Sequence, residues 1–127
     1  MNSCPFCNPF SFDGQEIVLE NEHCLFLQIP QDVLIGSGVI IPKLHKETVF
    51  DLSIEEWLAT QNLLIEAKKL LDSKHSPEGY SVGWNCYEVG GQTIPHAHLH
   101  IIPRYKDEPY AGRGIRYWLK SEGNKRT

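Results

Sequence analysis

The chain has 127 residues, a formal net charge of -4 and 41% hydrophobic residues. That size fits one ordinary domain, the acidic balance excludes the basic footprint of a nucleic-acid-binding protein, and no uninterrupted apolar run approaches the ~18 residues of a membrane span. The opening stretch MNSCPFCNPF shows neither the basic n-region nor the apolar h-region of a secretory signal, so the cytoplasm is the expected compartment.

In chain order, CPFC at Cys4 to Cys7 comes first. A thioredoxin-like CxxC follows a strand and opens a helix, whereas this one lies near the start and precedes Asn8-Pro9, which argues against redox chemistry. As half of a metal site it needs two further ligands. In a reducing compartment the four cysteines are expected as thiols, with Cys24 and Cys86 packed inside apolar runs. NPFSFDGQ is rich in turn formers. EIVLENEHCLFLQIP predicts two strands around a turn at Asn21-Glu22, and GSGVIIP a short strand closed by Pro42.

The period then changes. In LSIEEWLATQNLLIEAKKLLDSKH, Ser53 and Glu56 fit a capping box, and Leu52 and Trp57 a hydrophobic staple around it. Trp57, Leu58, Leu64, Ile65, Ala67, Leu70 and Leu71 recur at helical spacing and are the expected core-facing residues. The prediction is a helix over about 53–73. HSPEGY ends it, YSVGWNCYEV is strand-like, GGQT is a turn, and HAHLHIIPR is a strand. The polar tail carries Tyr110, Tyr117 and Trp118, which could pack on their own domain or on a partner subunit. Five short strands around one long helix predict an α+β fold with a mainly antiparallel five-stranded sheet.

The stretch IPHAHLHIIPR holds three of the six histidines. Strand residues at i, i+2 and i+4 share a face, ~7 Å apart, so His96, His98 and His100 would project together while Ala97, Leu99 and Ile101 face a core. Three readings follow. The imidazoles could ring a metal ion with an open coordination position; one could be a nucleophile toward phosphorus with its neighbours assisting; or the stretch is a polar sheet face that happens to be histidine-rich. GGQT just upstream favours the second, because small residues expose backbone N–H groups to phosphate oxygens, with Gln92 and Thr93 adding polar side chains. Lys43, Lys46 and Arg104 could add cationic help or be solvated surface groups.

GGQTIPHAHLHIIPR resembles the signature of the histidine triad (HIT) family, and CPFC, GVIIPKLH and YEVGGQT stand in that family's order. The resemblance covers about residues 4–105. It implies a single HIT domain over 1–127 with a core over about 4–105, a C-terminal tail over 106–127, and a sheet extended across a homodimer. It implies a nucleotidyl hydrolase or transferase that cleaves phosphoanhydride or phosphoramidate bonds of a small-molecule nucleotide through a covalent nucleotidyl-histidine intermediate. His98 would be the nucleophile, and His100 would contact phosphate and assist the leaving group. Asn85, Gly91, Gln92 and Thr93 would help bind substrate. A structural zinc would be held by Cys4, Cys7, His45 and His96, with no organic cofactor. The place where the family carries an acid for the ribose hydroxyls holds Gln28 or Ile29 here, and Gly36-Ser37 stands where many members have Gly-His. A nucleotide-binding regulatory module with little or no turnover is the alternative that these departures raise.

Overall fold

Strands β1 (Glu16–Glu20), β2 (Cys24–Gln28), β3 (Gly38–Pro42), β4 (Gly79–Trp84) and β5 (Leu99–Arg104) form one sheet in the spatial order β1-β2-β3-β5-β4. Every pairing is antiparallel. The computed structural model describes residues 4–11 and 13–126. Met1 to Ser3, at the start read as lacking a leader, Phe12 in the turn-rich stretch and Thr127 at the end of the tail lie outside the described residues.

The expected hairpin forms, and Asn21 holds its turn. Its Oδ1 accepts from the backbone N–H groups of His23 at 3.2 Å and Cys24 at 2.9 Å, while its Nδ2 donates to the Ala59 carbonyl at 2.9 Å. The side chain thus makes a local turn and also ties the hairpin to the helix that covers it.

That helix, α1 (Ile54–His75), crosses one face of the sheet. Its start is the capping box: Ser53 Oγ accepts from the Glu56 N–H at 3.1 Å, and Glu56 Oε1 accepts from the Ser53 N–H at 2.8 Å, which satisfies two of the donors a helix start leaves unpaired. The sheet-facing residues agree with the expected set at Ala67 and Leu71, with Leu64 packing beside them, and differ elsewhere. Glu56, Ala59, Thr60, Leu63, Ala67 and Leu71 are buried, whereas Trp57 is 51% exposed, Leu58 53% and Ile65 47%. The helix is apolar on two sides, and small Ala59, Thr60 and Ala67 are the ones that let it approach the sheet closely. The core they close contains Cys24, Phe26, Ile40, Leu99 and Ile101 from the sheet, and each fully buried large apolar side chain stabilises the fold by about 1.5–3 kcal/mol.

The opposite face of β2 is also covered. Leu25 and Leu27 pack with Ile41 and with Phe6 from the CPFC segment, so β2 is apolar on both sides, as its continuous CLFL run requires. On β5, Leu99, Ile101 and Pro103 are buried toward the helix, and His100, Ile102 and Arg104 alternate onto the other face.

One boundary falls differently from the sequence prediction. The strand expected from His96 begins at Leu99. Its ladder ends where Ile40 and Trp84 both pair with Leu99. Pro42 has no N–H to continue that ladder, and the Ala97 N–H turns away to the Lys46 carbonyl at 2.7 Å. His96 and His98 therefore precede the strand that carries His100.

Candidate active site and metal centre

The fully buried His96 is fixed from behind. Its Nε2 lies 2.8 Å from the Pro42 carbonyl oxygen. A carbonyl can only accept, so Nε2 bears the proton and Nδ1 presents a lone pair. That Nδ1 lies 3.5 Å from Cys4 Sγ, 3.4 Å from Cys7 Sγ and 3.2 Å from His45 Nδ1, and Cys7 Sγ lies 3.0 Å from His45 Nδ1. One donor atom from each of the four residues lies within 4.8 Å of the others. Tetrahedral ligands ~2.0–2.3 Å from a small divalent ion stand about 3.3–3.8 Å from one another, and the four distances just given lie within a few tenths of an ångström of that spacing. Two sulfurs and two imidazole nitrogens, one already locked in its ligating tautomer, fit a metal ion.

The four come from three places: a turn at the N-terminal segment, the residues after β3, and the residues before β5. Between the two cysteines, buried Phe6 sets its ring edge-on to His96 at 5.9 Å and to His98 at 5.0 Å. Phe6 thus lies against both the metal group and the next histidine, a role the sequence reading did not assign; only its position inside the CxxC hinted at it.

His98 is 5% exposed and is fixed the opposite way. Its Nδ1 donates to the His96 carbonyl at 2.8 Å, which leaves Nε2 proton-free and, among the described residues, without a hydrogen-bond partner. Burial pushes the His98 imidazole below its ordinary value, against the opposing pull of that backbone bond, so the ring is neutral near pH 7. The His100 ring lies 4.9 Å away and is also pushed down, first by burial and then by His98.

The segment before the histidines is a tight loop. Asn85 lies one step past the Trp84–Leu99 pair, at the same end of the β4–β5 ladder as His98. Tyr87 has φ 67° and ψ 162°, a sparsely populated backbone region that persists only where its surroundings hold it. Its carbonyl accepts from the N–H groups of Gly90 and Gln92, each at 3.0 Å. Gly91 has φ +99°, which favours glycine, and a Cβ there would come within 3.6 Å of the Asn85 side chain. Asn85 itself makes no side-chain hydrogen bond among the described residues, and Thr93 is exposed.

Beside His100 lies a cavity of about 270 Å3, lined among others by Phe6, Gln28, Leu34, Val39 and Ile102. Among the described residues His100 is its one lining residue of titratable type. Gln28 donates from Nε2 to the Gly36 carbonyl at 2.9 Å, leaving an amide oxygen as its free polar atom.

The structure thus brings together Cys4, Cys7, His45 and His96 in one group and sets His98 beside His100. Gln92 is placed differently from the sequence expectation of a polar side chain on the histidine face. It is 7% exposed, its Oε1 accepts from the Tyr87 N–H at 2.7 Å, and its Nε2 donates to the Glu47 carbonyl at 2.6 Å. The three cations singled out in the sequence are all paired: Lys43 with Glu20 at 2.8 Å, Lys46 with Glu56 at 3.0 Å and Arg104 with Glu108 at 2.6 Å. In the tail, Arg113 lies over the rings of Tyr110, Tyr117 and Trp118 within its own chain.

Against known proteins, the HIT domain family model matches residues 14–107. The chain is 36% identical over 107 residues to the protein named hit of Bacillus subtilis, covering 81% of this chain and 72% of that one. It is 29% identical over 105 residues to the bis(5'-adenosyl)-triphosphatase of Dictyostelium discoideum, covering 80% and 68%. The crystal structure of a zinc-bound histidine triad family protein from Mycobacterium smegmatis superposes with a TM-score of 0.73 at 24% identity, covering 88% of this chain and 82% of that one.

Proposed function

The chain belongs to the HIT domain family, and from that premise we propose that it is a nucleotidyl hydrolase or transferase working through a covalent intermediate on His98. The observation that carries this reading is the tautomer of that residue: a neutral, buried imidazole whose Nδ1–H is held by the His96 carbonyl, with Nε2 unprotonated. The N–H groups of Gly90, Gly91 and Gln92 are used within the turn, so a nucleotide seats its α-phosphate over Gly91, which has no side chain to block it, against the Asn85 amide and the Thr93 hydroxyl, with His100 reaching a phosphate oxygen. Nε2 attacks phosphorus, the P–N bond forms, and the phosphoanhydride or phosphoramidate bond breaks. The leaving group takes a proton from solvent delivered beside His100, and the water that attacks in the second step returns one proton to solvent, so the two steps balance. Water then attacks phosphorus, the P–N bond breaks, the nucleoside monophosphate departs, and His98 returns to its neutral form. The backbone carbonyl of His96 stabilises the imidazolium character that develops on His98 during both steps.

Cys4, Cys7, His45 and His96 would hold zinc, for which two sulfur and two imidazole donors are a suitable set. When bound, such an ion would supply a structural crosslink between the N-terminal segment and the residues that lead into β5. The sheet is extended across a homodimer through β4, which among the described residues pairs only with β5 and lies beside a face where the Trp57 and Trp84 rings stack at 6.4 Å and Val82 is 48% exposed. An unpaired strand edge next to exposed apolar surface is a pairing site that a second subunit covers.

A panel of diadenosine polyphosphates and adenosine phosphoramidates, run on wild type and His98→Asn, tests the reading. Turnover by wild type with nucleotide label trapped on His98 is the expected result. Tight nucleotide binding without turnover across the whole panel would instead make the protein a binding module.

A further inference from the structure

The residues His45 to Thr48 join three parts of the site. His45 contributes its Nδ1 to the metal group. The Lys46 carbonyl accepts from the Ala97 N–H at 2.7 Å, between the two buried histidines. The Glu47 carbonyl accepts from Gln92 Nε2 at 2.6 Å. Thr48, fully buried, closes a second capping box with Asp51. The segment is anchored further by Lys46, whose Nζ pairs with the buried Glu56 at 3.0 Å.

Gln92 is the side chain that connects this segment to the glycine loop. Its amide is used at both ends. The oxygen takes the N–H of Tyr87, and the nitrogen meets a carbonyl, which admits no exchange of the two ends. The backbone of Gln92 returns to the same residue, its N–H reaching the Tyr87 carbonyl at 3.0 Å. Tyr87 is therefore gripped on both its polar backbone atoms by one residue, in a conformation of φ 67° that a non-glycine residue does not adopt unaided. Gly90 and Gly91, whose N–H groups close the turn onto Tyr87 and Glu88, sit inside the loop so held.

We propose that Gln92 is a positioning residue: it clamps the glycine loop to the metal-ligand segment and acts on the substrate phosphate through the loop's placement of Asn85 and Thr93, without touching the phosphate itself. The inference rests on the reading of this loop as a phosphate cradle, but the loop's order can be measured without any turnover. Both polar atoms of the amide are committed before substrate arrives, and a direct contact would require the clamp to break, releasing the strained Tyr87. The clamp also places the metal group and the phosphate loop on one hydrogen-bonded frame.

Hydrogen exchange of the ligand-free, metal-loaded protein, with AMP affinity measured by calorimetry in parallel, tests this. In Gln92→Ala, exchange in the segment 85–91 should rise by roughly tenfold or more, the consequence of losing two partly buried hydrogen bonds that hold a local opening closed. The β1–β2 hairpin should exchange as in wild type, metal content should be unchanged, and AMP should bind more weakly. Gln92→Glu keeps an acceptor for Tyr87 but has no donor for Glu47, so its loop exchange should fall between the two. Should Gln92→Ala lose its fold altogether, Gln92→Glu decides by the same readings. Wild-type loop exchange in the ligand-free variant overturns the proposal, whether AMP binding is weakened (Gln92 then touches phosphate) or unchanged (it then has no part in the site). Absence of turnover in the wild-type protein would count against the catalytic reading and leave the exchange result standing.

Discussion

The surroundings of His96 and those of His98 are built on the same side chain two residues apart, yet they hold it in opposite tautomers. At His96 the proton sits on Nε2, held by the Pro42 carbonyl, and Nδ1 faces two sulfurs and a second imidazole. At His98 the proton sits on Nδ1, held by the His96 carbonyl, and Nε2 is bare. Both rings are buried and both are pushed toward the neutral form by that burial. Burial alone therefore does not divide the labour. What differs is which ring nitrogen a backbone carbonyl meets, and in the proposed function that choice suits one histidine to ligate and the other to attack.

The sharpest way to break the contrast is to remove its reactive half. His98→Ala should lower kcat by at least ~10^3-fold, the scale of losing a nucleophile, with metal content unchanged; steady-state kinetics and metal analysis read both. Cys4→Ser should do the converse: bound metal falls from about one ion per chain to near zero, and stability drops by several kcal/mol because metal binding is linked to folding, measured by denaturant melts. Substrate discrimination sharpens the contrast on the pocket side. With Gln28 offering a neutral amide oxygen and no carboxylate lining the cavity, AMP and dAMP should bind within about fivefold of each other, the range of a neutral hydrogen bond. Smaller again, Ser53→Ala should cost ~1 kcal/mol by removing the cap of α1, with kcat nearly unaffected because α1 packs on the face away from His100.

A pH dependence follows from Glu56, which is 2% exposed. Burial pushes its carboxyl up, but the Ser53 N–H and the Lys46 ammonium together hold it below the usual carboxylate range. A depressed folded-state value means stability that is present above the unfolded value of about 4.3 and lost as pH falls through the lower folded value. Denaturant melts across that acid range should show this loss, and Glu56→Gln should flatten it.

Much of this architecture was legible in the chain. Local rules carried the hairpin, the capping box at Ser53 and the strand–helix order, because turn chemistry and caps act over a few residues. The metal group was legible only through family order, since Cys4, Cys7, His45 and His96 meet across the whole fold. The inward face of α1 was read only in part: Ala67 and Leu71 are buried as expected, but size drew attention to Trp57, Leu58 and Ile65, whereas close approach to the sheet also selects Ala59 and Thr60. The start of β5 was set too early because alternation in HAHLH mimics a strand, while Pro42 on the neighbour ends the ladder. Gln92 reads as a polar group in a glycine turn; its partner, the Glu47 carbonyl, lies 45 residues away in sequence, and no local pattern announces a backbone acceptor at that distance.

Nitrogen-15 NMR of the histidine rings, in protein loaded with cadmium-113 as a reporter of metal contact, probes the division most directly. The expected spectrum has His98 neutral at pH 7 with its proton on Nδ1 and no coupling to cadmium, while His45 and His96 couple through Nδ1. A His98 ring protonated on Nε2, or coupled to the metal, would contradict the account.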